Sequence, residues 1–406
     1  MPRTDPARVL ADLHAMREFG RFKTGVHRPS LSEPDVAARR WFADRLTEAG
    51  LEARIDGIGS VFGFSRAPGR KLLTGSHVES QNQAGWLDGP LGLIYGLEAA
   101  RAIAEDPQTR DLGIDVAAWF DEEGHFGSFL GSRSYVGLLT EEEIDGARNR
   151  YDGTPLRDAL GRAGFDGRER VLHEPGRHVG YLEAHIEQGD TLESTGLKIG
   201  VVTAIVAIWQ YRMSVEGAQN HAGTTGMARR RDAGLALVRL LGAIDRHFPE
   251  IAGERTVWTC GRISLDPGAP SIIPGRAEAL FQFRDADPAT LTRLDAGLRE
   301  LIAEANRTGV CPITLEVMGQ STPALMDSGF QDAIEAAAGG RSMRLPSGAG
   351  HDAQYLARIM PAAMLFVPSI GGISHHWTED TAEEDIVLGA QVFADAAVRM
   401  LRGALG

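Results

Sequence analysis

Short apolar segments that run straight into histidine or acid beside glycine restrict this chain more than any other feature. Lys71-Leu72-Leu73 leads into His77, with Glu79 two residues on and Asp88 set among Gly85, Gly89 and Gly92. Val116-Ala117-Ala118-Trp119-Phe120 runs directly into Asp121-Glu122-Glu123-Gly124. Apolar runs of this length predict strands, and the helical apolar spacing over 91–103 and 386–401 predicts helices between and after them. Strands alternating with helices predict an α/β fold, a mixed and mostly parallel sheet flanked by helices. Loops at the strand ends of such a sheet are where sites are built.

The texture changes after Val201. Residues 210–215, 254–264, 277–284 and 312–318 read as strands, several of them alternating, and 232–247 and 290–308 read as helices. Four strands and two helices in this order predict a compact, ferredoxin-like α+β domain. The buried α/β texture returns after Pro323, with an apolar strand at 362–368. The expected organisation is therefore an inserted domain, 207–322, within a catalytic domain made from 1–206 and 323–406. A length of 406 residues agrees with two cores rather than one. Strands buried on one face leave the other free to pair with a second copy.

A formal net charge of −13 argues against nucleic acid and anionic membrane as partners. Apolar runs are broken by charge before the ~20 residues a membrane span needs. The chain opens Met1-Pro2-Arg3-Thr4-Asp5-Pro6, with no basic segment ahead of an apolar one, so the expected location is the cytoplasm. Cys260 and Cys311 form no metal-binding pattern and are expected to be inert buried thiols.

His77, His185, His221, His351 and His375 each stand in a loop at a strand end beside glycine or acid, unlike His14, His27, His173, His178 and His247. A lone histidine of this kind is more often structural. Five of them, with Asp88 and the Glu122-Glu123 pair, point to a metal site of nitrogen and oxygen donors suited to zinc, manganese, cobalt or nickel. Two ions would need a bridging carboxylate, which an Asp in a flexible loop can supply. Adjacent acids point in different directions, so one of Glu122 and Glu123 can bind metal while the other serves as a general base. The bland reading of such a pair is a solvated helix start, and the apolar strand before it disfavours that.

The stretches GSHVESQNQAGWLDGPLG, FDEEGHFG, YLEAHIEQG, NHAGTT, SIIPG, SGAGHDA and GISHH lie in the order and spacing of a known family. Over roughly residues 20–400 the chain resembles the N-carbamoyl-L-amino acid hydrolases, with β-ureidopropionase and allantoate amidohydrolase as relatives. These sit within the dinuclear metal amidohydrolases that include aminoacylases and carboxypeptidase G. The resemblance implies a small-molecule substrate, two divalent metal ions and Asp88 as their bridge. It implies His77 and His185 as ligands of separate metals, with Glu123 on one and His375 on the other. Glu122 would deprotonate a water between the metals that attacks the amide or ureido carbonyl, then return the proton to the leaving nitrogen. His221 would steady the oxyanion, Arg284 would clamp the substrate carboxylate, and Gln188, Gly350 and His351 would contact substrate. The inserted domain would act as lid and as the interface of a homodimer.

The chain departs from that family at three places. Residue 79 is Glu where an Asp ordinarily orients the metal-binding histidine, and the longer acid is expected to do the same. Ser271 replaces an Asn that normally shares the substrate carboxylate. Trp86 and Leu87 crowd the Asp88 loop where polar residues are common, Trp377 follows the last ligand, and the three either line an apolar pocket or simply pack. His376 is expected to be outside the ligand set. Ser271 keeps open a second reading, an amidase for a linear amide without an α-carboxylate. Two alternatives are weaker. An aminoacylase-like or dipeptidase-like enzyme is disfavoured by HIEQG in place of a peptidase-like acid at the third ligand position. A non-catalytic binding or scaffolding dimer is disfavoured because no metal ligand and no general base is missing.

Overall fold

The computed structural model describes residues 1–405, which divide into two compact units, Met1–Ala204 with Leu325 onward, and Ile205–Ala324. The larger unit carries a nine-stranded sheet among the described residues. From one side it runs Ala324–Leu325, Ile199–Ile205, Ala362–Val367, His178–Ile186, Lys71–His77, Gly113–Trp119, Val61–Phe64 and Glu52–Ile55, and the ninth strand, Ser342–Ser347, also pairs with Ile199–Ile205. The four strands from Ala362–Val367 to Gly113–Trp119 are mutually parallel, and the pairings on either side of them are antiparallel.

Composition explains that arrangement. Gly113–Trp119, His178–Ile186 and Ala362–Val367 are buried at every position, as strands covered on both faces must be. Parallel strands deliver their carboxyl ends to one edge of the sheet. The register places His77 opposite Trp119 and His185 opposite Phe366, so the His77, Asp121–Glu123 and His185 segments all leave the sheet at that edge.

The helix Pro90–Glu105 follows Asp88 after one residue, and nearly all of it is buried. Gly89 makes the tight entry possible. Its φ is +84°, and a Cβ there would lie 2.5 Å from the His77 ring and carbonyl oxygen. The helices Pro6–Arg17 and Glu33–Glu48 are capped by the Asp5 and Ser32 side chains. Sequence spacing misses several of the sheet's strands, Ile199–Ile205 and Ser342–Ser347 among them, and Glu52–Ile55, Val61–Phe64 and Ala324–Leu325 are too short to show a period.

The smaller unit is a four-stranded antiparallel sheet in the order Val257–Asp266, Arg276–Asp285, Ala207–Glu216, Ile313–Gln320. Helices Ala233–Ile251 and Pro288–Thr308 cover one face, burying Tyr211, Met213, Val215, Phe281 and Phe283 with Leu237, Phe248, Leu294 and Leu298. Chain order and strand order together give the ferredoxin-like sandwich. Val257–Asp266 is an edge strand that leaves Val257, Ile263 and Leu265 exposed.

No helix among the described residues is long and apolar enough to cross a membrane.

Candidate metal centre and active site

Of the five side chains expected to hold metal, four gather around the fifth, the Asp88 carboxylate. His77 Nε2 and His185 Nε2 lie 3.3 and 3.1 Å from Asp88 Oδ1. His375 Nε2 lies 3.3 Å from the other oxygen, Oδ2, and 3.8 Å from Glu123 Oε2. The donors thus form two groups sharing Asp88: His77, Asp88 and His185; and Asp88, Glu123 and His375. This grouping departs from the expected one twice. His77 and His185 fall in one group, facing the same Asp88 oxygen because neighbouring parallel strands bring both rings to one side of it. Glu123 and His375, expected apart, fall together in the other because their loops meet at Oδ2.

Ring orientation is set by the main chain. His77 Nδ1 donates to the Glu79 carbonyl at 2.9 Å and His185 Nδ1 to the Ile186 carbonyl at 3.0 Å, which leaves each Nε2 lone pair for a cation. The Glu79 carboxylate therefore has a different task from the one expected. Its Oε1 accepts the main-chain N–H of Glu122 at 2.7 Å, and its Oε2 accepts from the buried Arg39 guanidinium. The extra methylene carries the acid past the imidazole to the next strand end.

Electrostatics fit divalent cations. Burial opposes ionisation of Asp88, yet hydrogen bonds from His185, His375 and His77 hold it well below the usual carboxylate range. Burial also disfavours a charged His77, but Asp88 and Glu122 outweigh it and raise the imidazole well above its ordinary value. Asp88 pushes His375 up to about 9. Burial pushes the Glu122 carboxyl well up and Glu123 up, with neighbouring acids adding to both. Three crowded, buried carboxylates among imidazole nitrogens are a donor set that lacks only positive charge, which bound cations supply.

Glu122 stands beside the first donor group without joining it, its Oε2 3.9 Å from His77 Nε2. Its neighbour Asp121 anchors the turn. With φ at +56°, Asp121 accepts the N–H groups of His125, Phe126 and Gly127 at 2.8 Å each and the Ser30 hydroxyl at 2.6 Å. Gln188 and His375 also have positive φ, so three site segments hold non-glycine residues in the left-handed region, where strain collects at functional sites. Glu123 is gripped by Gln81, whose main-chain N–H and side-chain amide reach its two oxygens at 3.1 and 2.8 Å.

Other expected residues fall as follows. Gln188 Nε2 donates to Asp88 Oδ2 at 3.0 Å and to Ser374 Oγ at 3.1 Å. His351 is buried, its ring 4.7 Å from that of His185 and its Nε2 2.8 Å from Ser347 Oγ. Burial and His185 keep its pKa well below normal, so the imidazole is neutral. Gly350 packs where a Cβ would meet the Phe129 ring at 2.8 Å. His221, Ser271 and Arg284 belong to the smaller unit. His221 pairs with Ile272 across a two-residue ladder, and Arg284, on Arg276–Asp285, is half-buried. His376 bonds Thr378 and lies tilted against the Trp377 ring, outside both donor groups. Trp86 and Leu87 pack: Trp86 is stacked on His14 under Arg17, and Leu87 is wholly buried.

Sequence reasoning passes over Gln81, Arg39, Asp121 and Glu379. Gln81, Arg39 and Glu379 act through hydrogen bonds to Glu123, Glu79 and Asp88, and Asp121 through bonds to Ser30 and to the turn after Glu123, none of which has a sequence signature.

The model of peptidase family M20/M25/M40 matches residues 69–399. An N-carbamoyl-L-amino acid amidohydrolase of Geobacillus stearothermophilus is 31% identical over 408 residues, covering 98% of both chains. A ureidoglycolate hydrolase of Oryza sativa subsp. japonica is 34% identical over 390 residues, 92% of this chain and 80% of the relative. Among solved structures, an amidase of the hydantoinase/carbamoylase family from Burkholderia phymatum superimposes with a TM-score of 0.94 at 49% identity, covering 100% of this chain and 99% of that one.

Proposed function

From the premise that this chain belongs to peptidase family M20/M25/M40, we propose that it hydrolyses the linear amide or ureido C–N bond of a small N-carbamoyl or related N-acyl amino acid. The chain is a hydrolase of C–N bonds outside peptides, as its named relatives are. The observation that carries the proposal is the convergence of three histidines on the two oxygens of Asp88, with Glu123 completing the second group and Glu122 alongside but outside both.

His77, His185, Asp88, Glu123 and His375 would hold two divalent cations of zinc, manganese, cobalt or nickel. Bound there, the cations supply Lewis acidity that polarises a carbonyl and acidifies water. Glu122 takes the proton of the attacking water and delivers it to the leaving nitrogen, a shuttle suited to a carboxyl whose proton affinity burial has raised. Glu79 and Arg39 fix the main chain from which Glu122 projects. His351, neutral, and Gln188 are assigned to substrate contact, with Gly350 leaving room beside them. His221 is assigned to the oxyanion, and Arg284, with Ser271, to the substrate carboxylate. A homodimer through the smaller unit, paired along the exposed edge of Val257–Asp266, completes the proposal.

The test is elemental analysis of purified protein, followed by assays with each metal restored on N-carbamoyl amino acids, N-acetyl amino acids and simple amides. Turnover of carbamoyl substrates supports the proposal; inert carbamoyl substrates beside an active amide overturn it. Ser271 favours one second reading, an amidase for a linear amide without an α-carboxylate. Arg284→Ala separates the two: it raises KM by about tenfold or more if a carboxylate is clamped, and leaves KM unchanged on the second reading.

A further inference from the structure

We propose that Glu379 is a positioning residue for Asp88, the carboxylate common to both donor groups, an inference that rests on the two-cation reading above. Glu379 is 2% exposed and belongs to neither donor group. Its Oε1 accepts the main-chain N–H groups of Leu87 and Asp88 at 3.3 and 3.1 Å, fixing the peptide from which the Asp88 side chain departs. Its Oε2 accepts the hydroxyl of Ser374, the neighbour of His375, at 3.0 Å. Ser374 Oγ in turn lies 3.5 Å from Asp88 Oδ2 and accepts from Gln188 Nε2. One carboxylate thus joins the loop that delivers the bridge to the loop that delivers His375, across 291 residues of sequence.

Space as well as bonding is arranged for this acid. A Cβ at Gly85 would lie 1.8 Å from Glu379 Oε1, so residue 85 must be glycine for the carboxylate to enter. The Glu379 N–H donates to the His376 carbonyl at 3.0 Å, turning the chain back immediately after the His375 ligand. Two buried N–H groups and a hydroxyl have this acid as their acceptor. Removing it frees the Asp88 peptide to rotate, and small displacements of a ligand are felt directly in cation affinity.

The experiment measures zinc affinity and stoichiometry on the full chain by chelator competition, together with the melting temperature of the metal-free protein. Glu379→Ala is expected to weaken zinc binding about 10- to 100-fold and to lower kcat with little change in KM. Glu379→Gln keeps an oxygen for the two N–H groups, and the Ser374 hydroxyl can rotate to accept from its amide, so zinc affinity is expected within about threefold of wild type. If Glu379→Ala does not fold, Glu379→Asp, one methylene too short to serve both loops, replaces it. A lower melting temperature with unchanged zinc affinity overturns the inference, as does a Gln variant as impaired as Ala. Failure of the wild-type chain to bind zinc or any other divalent cation would instead sink the two-cation reading.

Discussion

The two donor groups that share Asp88 are built differently. His77 and His185 belong to neighbouring parallel strands, are almost wholly buried, and have both rings locked by main-chain carbonyls. His375 lies on a loop with a left-handed backbone and a side chain 52% exposed, and Glu123 is steadied by the side chain of Gln81. Sheet register makes the first group and loop packing makes the second. A donor set fixed by register loses little freedom when it binds a cation, whereas a loop histidine must be ordered and dried. The two cation positions are therefore expected to differ in affinity, with the Glu123–His375 position the weaker.

The largest expected effect separates chemistry from cation holding. Glu122→Gln should keep both cations yet lose about 10²- to 10⁴-fold in kcat, read by steady-state assay beside elemental analysis. Loss of a cation in that variant would place Glu122 within the buried group. His375→Ala should weaken the second equivalent about 100-fold while sparing the first, as seen by chelator competition. Acidity should act on the same side. Asp88 pushes His375 up to about 9 in the cation-free chain, so below that pH the imidazole is protonated and a cation must displace its proton. Affinity for the second equivalent should then fall as pH drops from 9, by about tenfold per unit at most. The smallest effect comes from the rim, where the Lys23 ammonium lies 3.6 Å from the Trp377 ring and Phe22 meets its edge. Trp377→Ala should loosen only the exposed group, by about threefold or less in affinity for the second equivalent.

Much of the buried group is legible from sequence, because strands buried on both faces read as apolar runs and their ends are marked by His77, His185 and the Asp121–Glu123 acids. The inserted ferredoxin-like unit is legible for a similar reason: its alternating strands and amphipathic helices carry clear periods. What escapes the sequence is pairing. That His77 and His185 face one oxygen of Asp88 depends on which strands are neighbours. The task of Glu79 depends on Arg39, forty residues away, and on a main-chain carbonyl that already serves His77. Glu379 meets Leu87 and Asp88 only because two distant loops close on each other. Sequence leaves Trp86 open between lining a pocket and packing, and the fold packs it against His14. Main-chain donors and acceptors have no sequence signature, so residues that work through them stay silent until the fold is seen.

Stepwise zinc occupancy of the wild-type chain, followed by chelator competition with His375→Ala alongside, tests the inequality of the two positions most directly. Two equivalents separated by about tenfold or more in affinity are expected, with His375→Ala removing only the weaker. Two equivalents of equal affinity, or a His375→Ala protein that loses both together, would contradict it.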